Sequence, residues 1–564
     1  MKKVVIIGGV AGGASAAARI RRLDEEAKIV ILERGPHISY SNCSLPFYLS
    51  RVVEDSEWLL MMTPERFKKQ YNIDVCKMRE AIAIDREKKL VQVKNLETGE
   101  IYSEPYDKLV LAPGAAPAMP KAIKGIDGPN VFGVRNVQDI CKLDSYLLEN
   151  QVEDVVVVGG GFIGIEVAEN LVKAGRHVHL VEGTKQILAP FDEDMVQTLH
   201  KEMDDNGVEL ILDDSVAEIQ LDKVVCQSGR EIPAKAVVMA VGVRPETELA
   251  VRAELAIGET GGIAIDTNCQ TSDPDIYAVG DAVEVYSELM HKKTRLTMAG
   301  IAQWQARAAA DHMYGKAGAT NGVLGSSVLR VFSMNAACTG LNERTARQLG
   351  IPCEFAYVLP SDKVGIMPDC NPMFFKLVFE VPTGRILGAQ AIGRGEVDKR
   401  VNVIAAMIRM NATLADLKDL ELCYSPLFST AKDVVNYAAL VGLNLLEGQF
   451  RQVPVSQVRQ LVESDACIID VRELGEYARG HLLNAVNIPL SQLRDRLDEI
   501  PKDRNVYLHC RSSQRSYNAV MSLTHLGYRN VFNISGSYLG ISMYEYFTDK
   551  TTGRKPIVTE YNFN

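Results

Sequence analysis

The chain has 564 residues, 47% hydrophobic and 24% charged, a balance typical of a globular protein with several domains. The formal net charge of −10 comes without a basic run, which argues against nucleic acid or an anionic membrane as a partner. No stretch reaches the roughly 18 apolar residues that span a bilayer. Only about four apolar residues follow Lys3 before the first glycines, too few for a signal peptide.

The eleven cysteines are scattered, without the short spacings of a disulfide framework or the Cys-x-x-Cys spacing of a metal site. An odd number in this arrangement favours a reducing compartment. We therefore expect a cytoplasmic protein without a metal site, in which most cysteines are small buried hydrophobic residues. The exceptions are Cys43 and Cys510, whose surroundings indicate chemistry.

The chain opens with a dinucleotide-binding pattern. Its elements are a strand over 3–7, a glycine turn over 8–13, a helix over 14–23 and a strand over 28–33. Gly8 suits the turn, Gly13 allows close packing of the helix, and Glu33 can accept a hydrogen bond from a ribose hydroxyl. This pattern predicts one bound nucleotide.

A second copy of the pattern follows. Its elements are a strand over 154–158, a G-x-G-x-x-G turn over 159–164, a helix over 165–174 and a strand over 177–181 that leads into Glu182. The glycines are Gly159, Gly161 and Gly164, and a pyrophosphate is expected at the N-terminus of the helix. Two copies in one chain indicate two nucleotides.

The remaining segments alternate between strands and helices. The β runs 109–112 and 276–279 each end in a glycine turn, and the second turn carries Asp281, which can accept from a polyol. Residues 447–454 form a plausible domain junction. Beyond it we expect strands over 466–471, 485–488 and 506–509, and helices over 473–479, 491–497 and 515–525.

Residues 1–447 resemble the pyridine nucleotide-disulfide oxidoreductase family, on the two glycine turns and the return to the first unit at Asp281. The resemblance implies FAD at Gly8, Gly13, Glu33 and Asp281, and NAD(P)H at Gly159, Gly161, Gly164 and Glu182. It implies a homodimer with an FAD-binding domain (1–115 and 250–325), an NAD(P)H-binding domain (116–249) and a dimerisation domain (326–447). Glu182 favours NADH because a carboxylate repels a 2′-phosphate, while Lys185 leaves NADPH as an alternative.

Cys43 lies in the segment Ser-Tyr-Ser-Asn-Cys-Ser-Leu-Pro, residues 39–46, and lacks the second cysteine of the Cys-x4-Cys pair that many family members use. A lone redox cysteine cycles through a sulfenic acid or a mixed disulfide. The segment resembles the coenzyme A-disulfide reductase branch, which implies a mixed disulfide with CoA and substrate contacts from Ser39 and Asn42. A helix start after Asn42 is expected to lower the pKa of the Cys43 thiol.

Two further sets of residues bear on the substrate. The segment 421–426, Glu-Leu-Cys-Tyr-Ser-Pro, resembles a branch element that implies Tyr424 as a proton donor across a dimer interface; a buried core tyrosine is the alternative. Met367 stands where the branch usually has a second tyrosine. The phosphates of CoA require cations, and the resemblance implies Arg19, Arg22, Lys399 and Arg400, each of which could equally be solvated surface charge.

Residues 455–550 resemble a rhodanese domain, on Ile469-Asp470-Val471-Arg472-Glu473, Gly480-His481-Leu482 and the loop 510–515. A Cys-x4-Arg loop between a strand and a helix makes a cradle of N–H groups for an anionic sulfur. With Arg511 and Arg515 beside it, Cys510 is expected to favour the thiolate and to accept sulfane sulfur as a persulfide. We interpret Asp470 and Arg472 as a structural ion pair.

These resemblances predict an α/β chain with two dinucleotide-binding Rossmann-like domains, an α+β dimerisation domain and a C-terminal rhodanese α/β domain. The favoured hypothesis is a flavin-dependent NAD(P)H reductase of persulfide, polysulfide or CoA persulfide, in which Cys510 collects sulfur, CoA shuttles it and Cys43 reduces it. The alternatives are a CoA-disulfide reductase, a sulfurtransferase with a regulatory flavoprotein half, and an NADH oxidase or peroxidase.

Overall fold

A computed structural model of the chain describes residues 2–563. Contacts divide it into two compact units, of which the first contains the chain up to Gly183 and Asp214–Val323, and the second contains Thr184–Asp213 and the chain from Leu324 onward. Within the part of the chain that the structure describes, no helix is long and apolar enough to cross a membrane. The predicted domain boundaries remain predictions.

The first nucleotide pattern and the strands that follow it lie before residue 120. The elements are β1 (Lys3–Ile7), α1 (Ala11–Leu23), β2 (Lys28–Glu33), α2 (Pro46–Leu49), α3 (Pro64–Tyr71), β3 (Asp74–Lys77), β4 (Arg79–Asp85), β5 (Leu90–Asn95), β6 (Ile101–Pro105), β7 (Lys108–Leu111) and β8 (Ala115–Pro117).

The second nucleotide pattern follows, and after it the chain returns to the sheet of the first nucleotide pattern. The elements are β9 (Val131–Gly133), α4 (Val137–Glu149), β10 (Asp154–Val158), α5 (Phe162–Lys173), β11 (His177–Glu182), α6 (Glu193–Asp205), β12 (Val208–Leu212), β13 (Val216–Ile219), β14 (Lys223–Cys226), β15 (Glu231–Pro233), β16 (Ala236–Met239), β17 (Val243–Pro245), α7 (Glu248–Arg252), β18 (Ile276–Ala278), β19 (Val285–Ser287), β20 (Lys292–Thr294) and α8 (Ala299–Met313).

The chain from Ser327 onward carries two further sheets. The elements are β21 (Ser327–Val331), β22 (Met334–Gly340), α9 (Glu343–Gln348), β23 (Cys353–Val358), β24 (Met373–Glu380), β25 (Ile386–Gly393), α10 (Val397–Arg409), α11 (Leu414–Lys418), α12 (Val434–Leu446), β26 (Gln452–Val453), α13 (Val458–Glu463), β27 (Cys467–Asp470), α14 (Leu474–Ala478), β28 (Ala485–Asn487), β29 (Val506–His509), α15 (Gln514–His525), β30 (Val531–Ile534) and α16 (Ser537–Thr552).

The first nucleotide sheet is parallel, with the strand order β18-β7-β1-β2-β3. Successive residues of β1 face opposite sides: Val4 and Ile6 pack with residues of α1 and α8, while Val5 and Ile7 pack with the antiparallel sheet β4-β5-β6. A parallel sheet covered on both faces accounts for the uninterrupted apolar run of β1. The turns after β1 and β18 therefore lie at the carboxyl edge of one sheet, where such folds bind ligands.

In the second nucleotide pattern, β10 pairs in parallel with β11 and β16, and β16 pairs with β9. Both α1 and α5 begin three residues before the predicted starts, at Ala11 and Phe162. The prediction was wrong there because Gly13 and Gly164, interpreted as turn residues, lie in the first helical turn. The α/β class is confirmed.

The second unit contains an antiparallel sheet, β21-β22-β25-β24-β23, and a parallel sheet, β26-β30-β29-β27-β28. Segment Thr184–Asp213 joins this unit through a buried charge cluster, in which Lys376 on β24, 1% exposed, binds Asp194 and Glu343 at 2.8 Å. Helix α6 also packs on α16, where the rings of His200 and Phe547 are 5.0 Å apart.

The predicted helix over 491–497 is wrong. Two short 3₁₀ turns, Leu493–Asp495 and Leu497–Glu499, take its place. The backbone N–H groups there reach back only three residues, as from Ile500 to Leu497, and Pro501 blocks continuation. The other predicted strands and helices of this module are present within three residues of their expected ends.

Candidate active site

The glycine turns of both nucleotide patterns have the same construction. Gly8 and Gly159 have φ of 98° and 108°, and a Cβ atom on either would collide with a backbone carbonyl of a neighbouring strand connection. The carboxylate of Glu33 accepts the N–H of Gly9 at 2.9 Å, and the carboxylate of Glu182 accepts the N–H of Gly160 at 2.7 Å. Each turn thus brings bare backbone and an acid to one helix start, which fits the pyrophosphate and ribose of a dinucleotide.

The helix of the first turn is as tightly placed. A Cβ atom on Gly13 would overlap the carbonyl oxygen of Gly8, so the start of α1 lies directly against the end of β1. Asp281 follows β18 at the same sheet edge, and burial raises the pKa of its carboxyl, an effect that Arg135 opposes. A ligand that donates hydrogen bonds would restore the carboxylate, and a polyol chain such as a ribityl group has this chemistry. These residues fit FAD.

Cys43 lies in a three-residue 3₁₀ turn, Asn42–Ser44, and is exposed, as is Asn42. The expected effect of a helix start on its thiol is wrong. Partial burial raises the pKa of Cys43, and the carboxylates of Glu166 and Asp281 raise it further. The dipole of a single 3₁₀ turn is too small to offset the two negative charges. A bound cationic or electron-poor group is therefore needed to favour the thiolate of Cys43.

Glu166 is a site residue that the sequence reasoning missed. It lies on α5, against which α2 packs just after the Cys43 turn, and Ser50 donates to Asn170 of the same helix at 2.5 Å. Burial, with a further contribution from Glu169, raises the pKa of Glu166 to about 7. The signal was an acid on the second turn of a mainly apolar helix. This carboxyl changes charge near neutral pH within reach of Cys43.

A cavity of about 430 Å³ opens beside the first nucleotide unit, between α1, α3 and α8. The lining includes Arg19, Arg22, Ser39, Tyr71, Trp304 and Arg307. Arg19 is held by Asp311 at 2.7 Å, whereas Arg22 is exposed over the ring of Tyr71. Guanidinium groups beside an exposed indole suit a phosphorylated nucleotide with a planar base. Trp304 and Arg307 were missed because α8 is distant in sequence.

In the second unit, the structure excludes the core alternative for Tyr424, since its side chain is 51% exposed. Lys399 is 41% exposed and can meet an anion. Arg400 cannot do so in this conformation, because it is 2% exposed and paired with Asp433 at 3.2 Å. The expectation of Arg400 as a phosphate ligand is therefore wrong, since its charge is already neutralised inside the fold.

The loop 510–515 encloses the second thiol. Cys510 is 1% exposed, and its N–H donates to the hydroxyl of Ser537 at 3.1 Å. The hydroxyls of Ser516 and Ser537 lie 3.6 Å and 3.9 Å from its sulfur. Two N–H groups of the first turn of α16 donate to the carbonyls of Cys510 and Arg511 at 3.0 Å. The cradle thus draws on α16 as well as on the loop, and sequence reasoning missed Ser516 and Ser537.

Around this loop, Arg515 donates to both carboxylate oxygens of Glu476, at 2.6 Å and 2.7 Å. The hydrogen bonds from Arg515 lower the pKa of Glu476 to about 2. Asp470 and Arg472 form a bidentate pair inside the module, with 0% and 2% of their side chains exposed. This burial fits the structural interpretation of that pair.

Helix α12 supplies another side of the second thiol site. Val441 and Leu445 pack on the apolar core that contains Cys510, and Asn444 donates to the hydroxyl of Tyr517 at 2.9 Å. Burial raises the pKa of Tyr437, and Cys510 contributes to the rise. In residues 2–563, no cluster of three or more His, Cys, Asp or Glu side chains could hold a metal ion.

Family models match most of the chain. The model for pyridine nucleotide-disulphide oxidoreductases matches residues 2–306, the dimerisation domain of the same family matches 327–434, and a rhodanese-like domain matches 454–543. The predicted kinds of domain are confirmed. The glycine turns and Asp281 lie within the first match, segment 421–426 within the second and loop 510–515 within the third.

Individual relatives agree. The chain is 31% identical over 437 residues to a coenzyme A disulfide reductase of Staphylococcus aureus (strain bovine RF122 / ET3-1), covering 77% of this chain and 98% of the relative. It is similar to the reduced Bacillus anthracis CoADR-RHD, with a TM-score of 0.93, 40% identity and coverage of 96% and 98%. It is also similar to the NAD-dependent persulfide reductase from A. fulgidus, with a TM-score of 0.91, 34% identity and coverage of 96% and 99%. With these likenesses and both glycine turns in place, the chain belongs to the pyridine nucleotide-disulphide oxidoreductase family.

Proposed function

We propose that the protein is a flavin-dependent NADH reductase of persulfides, with CoA persulfide as substrate and CoA as the thiol that carries the sulfur. Membership of the family implies FAD and NAD(H) as cofactors. The observation that carries the proposal is the exposed, unpaired Cys43 in the same unit as both nucleotide turns. The similarity to a persulfide reductase and to CoA-disulfide reductases supports the substrate class.

The chemistry begins at the sulfur of Cys43. Its thiolate attacks the sulfur of CoA persulfide that is bound to carbon, so the S–S bond breaks, hydrosulfide leaves and a Cys43–CoA disulfide forms. The residues proposed to hold FAD would let it supply the two electrons of NADH to this disulfide. Cleavage regenerates the Cys43 thiolate and releases CoA thiol. In sum, CoA persulfide, NADH and a proton give CoA, hydrogen sulfide and NAD⁺.

Other residues bind and protonate. Arg19 and Arg22, with Ser39, are proposed to hold the phosphates of CoA in the cavity beside α1. Asn42 and Lys399 are proposed as further substrate contacts, and Tyr424 is proposed to give a proton to the departing CoA thiolate. The exposure of Tyr424 and the match to a dimerisation domain support a homodimer in which this tyrosine serves the other subunit. Gly8, Gly13, Glu33 and Asp281 are proposed to bind FAD, and Gly159, Gly161, Gly164 and Glu182 to bind NADH.

The second thiol has a separate role in the proposal. Cys510 takes up sulfane sulfur as a persulfide in its loop, with Arg511 and Arg515 around it, and gives the sulfur to CoA. The enzyme then works in the cytoplasm, where the eleven free cysteines stay reduced. Neither nucleic acid nor a membrane is a proposed partner.

Reduction of CoA disulfide is the second candidate, favoured by the Staphylococcus aureus relative. NADH oxidation and sulfide release are measured with CoA persulfide, polysulfide and CoA disulfide for the parent, Cys43→Ser and Cys510→Ser. The proposal expects the parent to turn over CoA persulfide faster than CoA disulfide. Turnover of CoA persulfide should be abolished in Cys43→Ser and retained in Cys510→Ser. Faster turnover of CoA disulfide would favour the second candidate. Undiminished sulfide release by Cys43→Ser would favour a sulfurtransferase.

A further inference from the structure

Arg400 lies in the first turn of α10 and joins three separate parts of the second unit. Its guanidinium donates to the backbone carbonyl of Asp362 at 3.0 Å, to that of Phe428 at 3.3 Å and to the carboxylate of Asp433 at 3.2 Å. Its side chain is 2% exposed. These partners come from the segments before and after α10, so one buried cation holds both.

The two segments are the connections 361–372 and 421–433, here called the first and second loops. Their outer parts are exposed: Ile366 by 82%, Tyr424 by 51% and Leu427 by 62%. One isolated bridge joins Ser361 to Pro372 at the two ends of the first loop, and neither loop pairs with the strands of the sheet. Exposed chain of this kind keeps a defined position only where its backbone is tied to the core.

The inner ends of the loops provide that tie. In the first loop, Asp362 is 3% exposed, and its carboxylate accepts the N–H of Asn371 at 2.9 Å. In the second loop, Asp433 is 6% exposed and caps α12 by accepting the N–H of Val435. Arg400 bridges these two closed ends.

A buried guanidinium is costly unless its charge is paired and its donors are used. Asp433 supplies the countercharge, and the planar fork reaches two carbonyls at once, which a lysine ammonium cannot reproduce. The Nε atom of Arg400 is nonetheless buried without a hydrogen-bond partner among the described residues. Such an arrangement contributes little net stability, but it fixes one geometry.

We propose that Arg400 is a positioning residue that sets the second loop against the first, and so fixes the place of Tyr424 in the reaction. The role of Tyr424 in this inference rests on the proposed function. The fixing of the two loops by Arg400 does not depend on that function. Arg400 then affects the rate of turnover and leaves the affinity for the phosphates of CoA unchanged.

The test uses the flavin-loaded, full-length enzyme. Because Arg400→Gln alone strands the buried Asp433, the main variant combines Arg400→Gln with Asp433→Asn, which keeps a capping side chain for α12 and leaves no unpaired charge. Arg400→Lys is the conservative variant, and Arg347→Gln, which removes an exposed guanidinium outside both loops, is the control. All are combined with Tyr424→Phe in a double-mutant cycle.

With CoA persulfide we expect kcat to fall about 10²-fold in the paired variant, with KM within about twofold, and a smaller fall in Arg400→Lys. Tyr424→Phe should cost no further activity in the paired variant. NADH-dependent reduction of a dye, which needs no loop, should stay at the parental rate. A raised KM with unchanged kcat would overturn the positioning role. So would a Tyr424→Phe change that lowers kcat by the same factor in the paired variant as in the parent.

Hydrogen exchange separates this inference from the proposed function, because it needs no turnover. Exchange in residues 361–372 and 421–433 should accelerate at least about tenfold in the paired variant, and elsewhere remain as in Arg347→Gln. Parental exchange in both loops would overturn the inference even if the enzyme reduces CoA persulfide. Accelerated exchange in an enzyme that does not reduce it would uphold the loop geometry and reject the proposed function.

Discussion

Arg515 and Glu476 form a bidentate ion pair at the second thiol site, with two guanidinium nitrogens donating to the two carboxylate oxygens at 2.6 Å and 2.7 Å. The two residues lie 39 positions apart, at the starts of α15 and α14. The sixth residue of the Cys510 loop is therefore oriented by a neighbouring helix. The loop keeps its shape through this pair as well as through its own backbone.

Breaking this pair should weaken the module in a pH-dependent way. The pKa of Glu476 is lowered from 4.5 to about 2, so the pair stabilises the fold fully above pH 4.5 and is lost as the pH falls toward 2. Glu476→Gln should lower the thermal midpoint at pH 7, and the gap from the parent should narrow below pH 4.5. A gap that does not change between pH 7 and pH 3 would contradict the role of this carboxylate.

The hydroxyls of Ser516 and Ser537, at 3.6 Å and 3.9 Å from the sulfur of Cys510, should increase its reactivity. Because Ser537 has a φ of 48°, glycine is the replacement that avoids strain, and Ser516→Ala is its companion. Each should slow alkylation of Cys510 at pH 7 several-fold, up to about tenfold for one hydrogen bond to a charged sulfur. Peptide-resolved mass spectrometry measures the rate, with Ser512→Ala as control. Parental rates in both variants would show that the backbone alone forms the cradle.

Glu166 should make the reactivity of Cys43 depend on pH near neutrality. With its pKa at about 7, this carboxyl is neutral below that pH and opposes the thiolate above it. Glu166→Gln should therefore speed alkylation of Cys43 a few-fold at pH 8 and leave it unchanged at pH 5.5. Glu149→Gln, at an exposed helix end, is the control. Equal rates for Glu166→Gln and the parent across this range would rule out the coupling.

The same carboxyl affects stability with a definite sign. Its raised pKa means that the folded state holds a proton that the unfolded state loses between pH 4.5 and 7, so its contribution falls as the pH rises through this window. In Glu166→Gln, the thermal midpoint should fall less than that of the parent between pH 4.5 and pH 7. A midpoint that follows the parental curve would assign the trend to other groups.

The cavity beside α1 should discriminate between substrates by their phosphates. Arg22→Gln should raise KM for CoA persulfide about tenfold with little change in kcat, while turnover of inorganic polysulfide stays parental, because polysulfide has no phosphate to contact. The difference should shrink at high salt. A similar rise in KM for both substrates would place the phosphates of CoA elsewhere.

Local patterns predicted the parts of the site that are built locally. Gly8 and Gly159 begin turns directly after short apolar strands, and Cys510 heads a loop between a strand and a helix, so a few adjacent residues determine each geometry. The kinds of domain were predicted for the same reason.

Contacts between distant residues were not predictable in this way. Arg400 meets Asp433 33 residues later, and Cys510 meets Ser537 27 residues later. The sequence shows that a residue is an arginine, but it does not show whether its charge is already paired with a carboxylate inside the fold. The pKa of Cys43 was misjudged for the same reason, since it is raised by partial burial and by Glu166 on α5, more than 120 residues later.

The most direct test concerns the bond that Cys43 forms. The flavin-loaded enzyme is mixed with CoA persulfide without NADH, denatured without a reductant and mapped by mass spectrometry. The account predicts one CoA attached by a disulfide to the peptide that contains Cys43, removed when NADH is added before denaturation. An unmodified Cys43, or a CoA adduct on Cys43 that NADH does not remove, would contradict it.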